Sequence, residues 1–219
     1  VTAVSLEART ILADYNPGDG TLTVIQPHQS PHLAQGLYAR HFAIPEHRVR
    51  VIAPDVGGAF GLKMHVFADE MATVAASRIL GRPVRLSLDR VEGMLTDAHA
   101  REAEVDATLD LDADGLPSRF DVRVRAAIGA YSIYPRGSLG DPLQTLTMTG
   151  APYRHTRLSG EALALYQNKA QSGPIRGVGQ PLACAVTEVL MDKAARATGQ
   201  DPADYRRAAY LREGDFPGR

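Results

Sequence analysis

An α+β fold of mixed strands and helices is predicted from three features of this 219-residue chain. A long stretch alternates apolar and polar residues on both sides of an Asp-Gly turn, the mark of an extended antiparallel hairpin. Capped helical stripes lie before and after it. Strands and helices are mixed without the regular alternation that a doubly wound sheet requires.

The elements follow in order along the chain. A first hairpin turns through Asn16, Pro17, Gly18, Asp19 and Gly20 into a strand at 22–26. Ser30 and Pro31 set a capping residue before a first-turn proline, and Leu33, Leu37 and Tyr38 give a helical stripe behind them. A strand at 48–53 comes next, then a helix marked by Phe67, Met71, Val74 and Ala75. Gly81 and Pro83 stop that helix ahead of a strand at 84–88. The dominant hairpin, about residues 102–128, alternates Val105, Ala107, Leu109 and Leu111 with Glu104, Asp106 and Asp110. It turns at Asp114-Gly115 and resumes as Phe120, Val122, Val124, Ala126 and Ile128, with charged residues between them. Leu182, Val186, Val189 and Leu190 mark a third helix ended by Gly199. Asp201, Pro202 and Asp204 open a fourth with a cap, a first-position proline and an acidic first turn.

Composition excludes several functions. Lys+Arg 24 against Asp+Glu 25 leaves a net charge of -1, so no field draws nucleic acid or an anionic membrane. No apolar run reaches the roughly 18 residues of a membrane helix. The lone Cys184 rules out an intrachain disulfide or a cysteine-built metal site and is expected to be a small buried residue. His28 and His32 are four apart but have no third ligand near them in sequence. The run Asp110, Asp112, Asp114 lacks the closing glutamate of a calcium loop, and no serine sits in a nucleophile elbow. With neither an initiator Met nor a secretory signal, the chain reads as a piece of a larger subunit: residues 1–219 as a single domain with a soft boundary near residue 100.

Two glycine-rich loops carry the chemistry. The first runs Gly57-Gly58-Ala59-Phe60-Gly61-Leu62-Lys63 between a strand and a helix, where backbone amides can meet an anion. Its spacing fits neither a phosphate loop nor a dinucleotide fingerprint. A tight turn with Phe60 plugging the core is the plainer alternative. In the second, Pro174-Ile175-Arg176-Gly177-Val178-Gly179, an arginine fork lies between glycines before another helix. A solvated surface turn is the alternative there. Two such loops together suit an extended polyanion.

These loops, the run His28-Gln29-Ser30-Pro31-His32, the segment 44–51 and the segment 190–215 resemble the molybdenum hydroxylase family, in the family's order and over nearly the whole chain. That family includes xanthine dehydrogenase, aldehyde oxidase and aerobic carbon monoxide dehydrogenase. The resemblance implies a molybdenum-cofactor-binding domain holding molybdopterin, in its cytosine dinucleotide form, with molybdenum held through the pterin and no direct protein ligand. It gives Gln29 and Arg176 supporting catalytic roles beside the metal. Gln29, Gly57, Gly58, Ala59, Phe60, Gly61, Arg176 and Gly177 become the cofactor-binding set.

The departures narrow the substrate. Met64 stands where purine-oxidising members carry an acidic residue, and Val178 stands where they carry a stacking aromatic. Gly177 stands where the carbon monoxide enzymes carry a copper-holding cysteine. An aldehyde or a heterocycle remains, oxidised with water as the oxygen source. The family's general-base glutamate, in a glycine-rich motif near its subunit's end, has no counterpart here, so the isolated chain is expected to be inactive. The partners implied are the remainder of the molybdenum subunit, an iron-sulfur subunit with 2Fe-2S, a flavin subunit with FAD and a small-molecule substrate, in a bacterial cytoplasm. The alternative is a non-catalytic molybdopterin-binding module or a degenerate family member.

Overall fold

In the computed structural model, which describes residues 2–215, the chain forms two units, each with its own mixed sheet. The first holds the chain as far as His99 together with Ser132–Gly137 and Gly173–Arg176; the second holds Ala100–Tyr131, Ser138–Ser172 and the chain from Gly177 onward.

Sheet order in the first unit is β3-β2-β1-β4. Strands β1 (Thr10–Asn16) and β2 (Thr21–Ile25) form the expected hairpin, with Asn16 opposite Thr21. The Asn16 side chain accepts the Gly18 amide at 2.9 Å and that of Asp19 accepts the Thr21 amide at 2.9 Å, which is why these short polar residues turn the chain here. Strand β3 (Val49–Ile52) adds parallel to β2, and β4 (Val84–Ser87) adds antiparallel to β1. Helices α1 (Pro31–Phe42) and α2 (Ala68–Leu80) bury Ala34, Tyr38 and Val74 with alternate sheet residues Ile11, Ala13, Leu22, Val24 and Val49. Ser30 precedes α1 as expected, but its side chain makes no cap bond; its amide turns back to the His28 ring instead.

Helix α3 (Arg90–Thr96) escapes the periodicity argument because Val91, Met94 and Leu95 point outward. The readable signal is Asp89 with Glu92 three residues later: each side chain accepts the other's amide, at 2.8 and 2.9 Å.

In the second unit, β5 (Ala103–Leu111) and β6 (Pro117–Gly129) pair antiparallel as expected, Leu109 facing Phe120 and Ala103 facing Ala126. Strand β7 (Arg157–Tyr166), parallel to β6, is not visible in the pattern, because Leu158, Ala162 and Ala164 occupy one parity and Leu163 and Leu165 the other. At Gly160 (φ 149°) the backbones are so close that a Cβ would stand 1.8 Å from the Val122 carbonyl oxygen. Helix α4 (Gly140–Met148) also carries too few apolar residues to announce itself.

Helix α5 (Gln180–Ala197) corrects the expected stripe. It buries Ala183, Thr187, Met191, Ala194 and Ala195, while Val189 is exposed. Small side chains let a helix lie close to its neighbours, so the alanine face goes inward although it is the less hydrophobic one. Cys184, expected inside, is exposed on this helix. Helix α6 (Pro202–Ala209) is capped as expected, with Asp201 accepting the Ala203 and Asp204 amides at 2.9 and 3.1 Å.

Candidate functional site

The first glycine loop leaves β3 and reaches α2 through a 3-10 turn at Leu62–Met64. Ala59 and Leu62 are buried and anchor it from within. Phe60 does not plug the core: the residue is 47% exposed and its backbone has φ 53°. A bulky residue in the left-handed region costs on the order of 1–3 kcal/mol, strain that the surrounding contacts must hold. Gly61 (φ 99°) passes so close to the 174–175 backbone that a Cβ would lie 2.7 Å from the Pro174 carbonyl oxygen.

Glu7 clamps one end of the loop. Its amide donates to the Gly57 carbonyl at 3.0 Å, and its carboxylate accepts the Gly57 amide at 2.9 Å and Lys63 Nζ at 2.7 Å. Partial burial works the other way, yet the bonds from Lys63 and Gly57 hold the Glu7 carboxyl below its ordinary value. Lys63, almost fully buried, is thereby turned inward and is no ligand-facing cation. Glu7 was not singled out from the sequence; its partners stand 50 and 56 residues away and leave no local trace.

Gln29 closes the other end from the turn between β2 and α1. Its side-chain Oε1 accepts the Gly61 amide at 3.0 Å, and its own amide donates to the Lys63 carbonyl at 2.9 Å. Because a backbone N–H can only donate, it sets the orientation of the Gln29 amide, and the remaining donor capacity of this exposed side chain is its Nε2 pair.

The second loop joins the same unit through its first half. Pro174 and Ile175 are buried, and the Arg176 amide donates to the Phe60 carbonyl at 2.9 Å while its side chain is exposed. Gln29, Phe60, Gly61 and Arg176 are thus brought together by direct hydrogen bonds, and Gly57 lies at the Glu7 end of the same loop. Beneath them His65 is 1% exposed, and burial lowers its pKa to about 4. The Pro174 and Tyr134 carbonyls favour its charged form, but neither ring nitrogen makes a hydrogen bond of good geometry.

Gly177 (φ 88°) and Val178 (φ 51°) open the second unit's part of the loop, and the Gly179 amide donates to Gln144 Oε1 at 2.8 Å. Within the first unit the amides of Gly57 and Gly61 are committed to the Glu7 and Gln29 side chains. Glu188 accepts the Tyr153 hydroxyl at 2.9 Å and Arg206 Nε at 2.7 Å, a structural ion pair within the second unit. Among the described residues, no group of three or more His, Cys, Asp or Glu could hold a metal ion, and no helix is long and apolar enough to cross a membrane.

An oxygen-rich anionic cofactor fits what is present. Gln29 Nε2 and the Arg176 side chain are exposed and tied to one loop, and the Glu7 carboxylate beside that loop is paired with Lys63.

Residues 1–210 match the family model described as "Molybdopterin cofactor-binding domain". Among curated proteins, the chain is 34% identical over 221 residues to the nicotine 6-hydroxylase large subunit of Paenarthrobacter nicotinovorans, covering 99% of the chain and 26% of that protein. It is 30% identical over 222 residues to the carbon monoxide dehydrogenase large chain of Hydrogenophaga pseudoflava, covering 97% and 26%. Among solved structures, quinoline 2-oxidoreductase from Pseudomonas putida 86 superposes with a TM-score of 0.93 at 34% identity, covering 100% of this chain and 28% of that one. The chain therefore spans about a quarter of the length of the relatives it matches.

Proposed function

Because the chain belongs to the molybdopterin cofactor-binding domain family, we propose that it is the cofactor-holding part of a molybdenum hydroxylase acting on a nitrogen heterocycle. The observation that carries this reading is the direct linkage of Gln29, Phe60, Gly61 and Arg176 in one unit. The choice of heterocycle over aldehyde rests on the names of the two 34%-identical relatives, a nicotine 6-hydroxylase and a quinoline 2-oxidoreductase. Those named relatives are oxidoreductases, which favours an enzyme over a non-catalytic module. We extend the proposal to molybdopterin cytosine dinucleotide as the cofactor and to a working protein that includes the remainder of the molybdenum subunit, with 2Fe-2S and FAD on companion subunits, in a bacterial cytoplasm.

When bound, the molybdenum cofactor supplies the two-electron acceptor for a hydroxylation that takes its oxygen from water. This chain's residues prepare the setting. Gln29 presents its Nε2 donors to an oxygen-bearing group, held in that orientation by Gly61. Arg176 offers a charged fork to an anionic ligand. Phe60 holds an exposed ring over the loop, where it can cover the site and exclude water. Glu7 and Lys63 hold the loop's backbone from behind and stay out of the chemistry. The proton released from substrate needs an acceptor that none of these residues supplies, and we assign it to the rest of the subunit.

In the intact protein, molybdenum and cytosine nucleotide should be found in about equal amounts. Arg176→Ala should weaken cofactor retention or turnover by about 1–3 kcal/mol, the worth of a charged hydrogen bond. Metal analysis, nucleotide release and heterocycle turnover check this. Full metal content with unchanged turnover would sink the role given to Arg176.

A further inference from the structure

His28 occupies the turn between β2 and α1, next to Gln29, and is 4% exposed. Its Nδ1 accepts the Ser30 amide at 2.9 Å, and its Nε2 lies 3.3 Å from the His65 carbonyl oxygen. The Ser30 amide can only donate, so Nδ1 is bare; the proton of the neutral ring then sits on Nε2 and points at the carbonyl, which can only accept. Both nitrogens are committed, each to backbone.

The pattern around it is regular. Gly61 binds the Gln29 side chain, the Gln29 amide binds Lys63, and the His28 ring binds His65. His28 and Gln29 are thus sewn to 61–65 at three points, and the ring, which also holds the Ser30 amide, sets the spacing at one end. A core-filling apolar residue would satisfy the burial but neither backbone group. Burial also lowers the pKa of His28, which favours the neutral ring that this arrangement needs.

We propose that His28 is a positioning residue for Gln29, its Nε2–H tautomer holding the 28–30 turn in register with the glycine loop so that the Gln29 amide donors face the cofactor site. The proposal rests on the cofactor role given above to Gln29. It asks for no contact between His28 and cofactor or substrate.

The test uses the intact protein and four variants. His28→Phe keeps the volume and neither bond, His28→Asn keeps an acceptor for the Ser30 amide, Gln29→Ala removes the positioned group, and the fourth combines His28→Phe with Gln29→Ala. Each is read by molybdenum content, kcat and KM for heterocycle oxidation, and deuterium exchange of the peptide containing Gly61. We expect His28→Phe to lose protection at Gly61 and to lower kcat on the order of tenfold to a hundredfold, the scale of a small misplacement, with KM nearly unchanged. His28→Asn should recover part of both. The double variant should be no worse than Gln29→Ala alone, because the two residues act as one unit. Additive losses, or full protection and full kcat in folded His28→Phe, would overturn the proposal. If His28→Phe does not fold, His28→Asn carries the same comparison. Unchanged metal content and kcat in Gln29→Ala would instead overturn the cofactor role of Gln29, and Gly61 protection in His28→Phe would still decide whether His28 sets the register.

Discussion

At Gly61 three demands meet in one residue. Its φ of 99° suits glycine, its amide holds the Gln29 side chain, and its α-carbon faces the Pro174 carbonyl with no room for a methyl group. Gly61→Ala should therefore destabilise the chain by roughly 1–3 kcal/mol and free the Gln29 side chain together. Chemical denaturation reads the first effect, and exchange at Gly61 in the folded variant reads the second. An alanine variant of wild-type stability with the Gln29 contact intact would refute the close packing described for this position. Phe60, one residue earlier, takes a left-handed backbone without glycine's freedom, and its carbonyl is pinned by Arg176. Strain of this kind persists only where neighbours over-determine it, and here they are the residues proposed to hold the cofactor.

Among the elements, α6 shows how much a local signal can carry. It is eight residues long, too short to persist alone, and Asp201 satisfies two of its orphan amides while Tyr205 and Ala209 bury its inner face. Asp201→Ala should cost about 1 kcal/mol, visible as a lowered unfolding midpoint, with Asp201→Asn nearly neutral. Equal losses in both variants would point to charge instead of the cap. Strand β7 shows the opposite case. Its place beside β6 depends on Gly160 lying against Val122, a contact between residues 38 apart that no window of the sequence displays.

For the molecule as a whole, buried charge sets the response to pH. In the first unit Arg9, 3% exposed, serves Asp97 at 2.7 Å, Asp69 at 2.8 Å and Glu70 at 3.1 Å, with its guanidinium 3.9 Å above the Phe67 ring. One cation cannot balance three carboxylates. Burial first, and then repulsion from Asp69, raise Glu70 to about pKa 7 despite the pull of Arg9. Folded Glu70 thus holds a proton that the unfolded chain releases above about 4.5, so its contribution declines as pH rises from about 4.5 to 7. The histidines act in the reverse sense. Below its ordinary value of 6.5, His65 takes up a proton when unfolded and resists it when folded down to about 4, so stability declines as pH falls through that range; His28 shifts in the same direction. The two effects oppose each other in one window. Glu70→Gln should therefore steepen the loss of thermal stability between pH 6.5 and 4.5, and His65→Gln should flatten it. Melting curves across that window check both, and slopes unchanged in either variant would show that the group titrates elsewhere.

The α+β class, the two hairpins, helices α1, α2, α5 and α6 as elements, and the residues of the two loops are legible in the amino-acid order alone. Those features depend on neighbours two to four positions apart, where pleat, helix repeat, cap and turn geometry act, so a short window contains both partners of each interaction. Gln29 and Arg176 were nameable from their loops; what they touch was not. It takes the folded chain to show that Gln29 reaches Gly61, that Arg176 binds Phe60, that Lys63 turns inward to Glu7 and that α5 buries its alanines instead of Val189. These outcomes join segments 32 to 116 residues apart or choose between two faces of one helix. Close packing and the pairing of buried polar groups select among such arrangements, and both act across the folded chain without regard to distance along it.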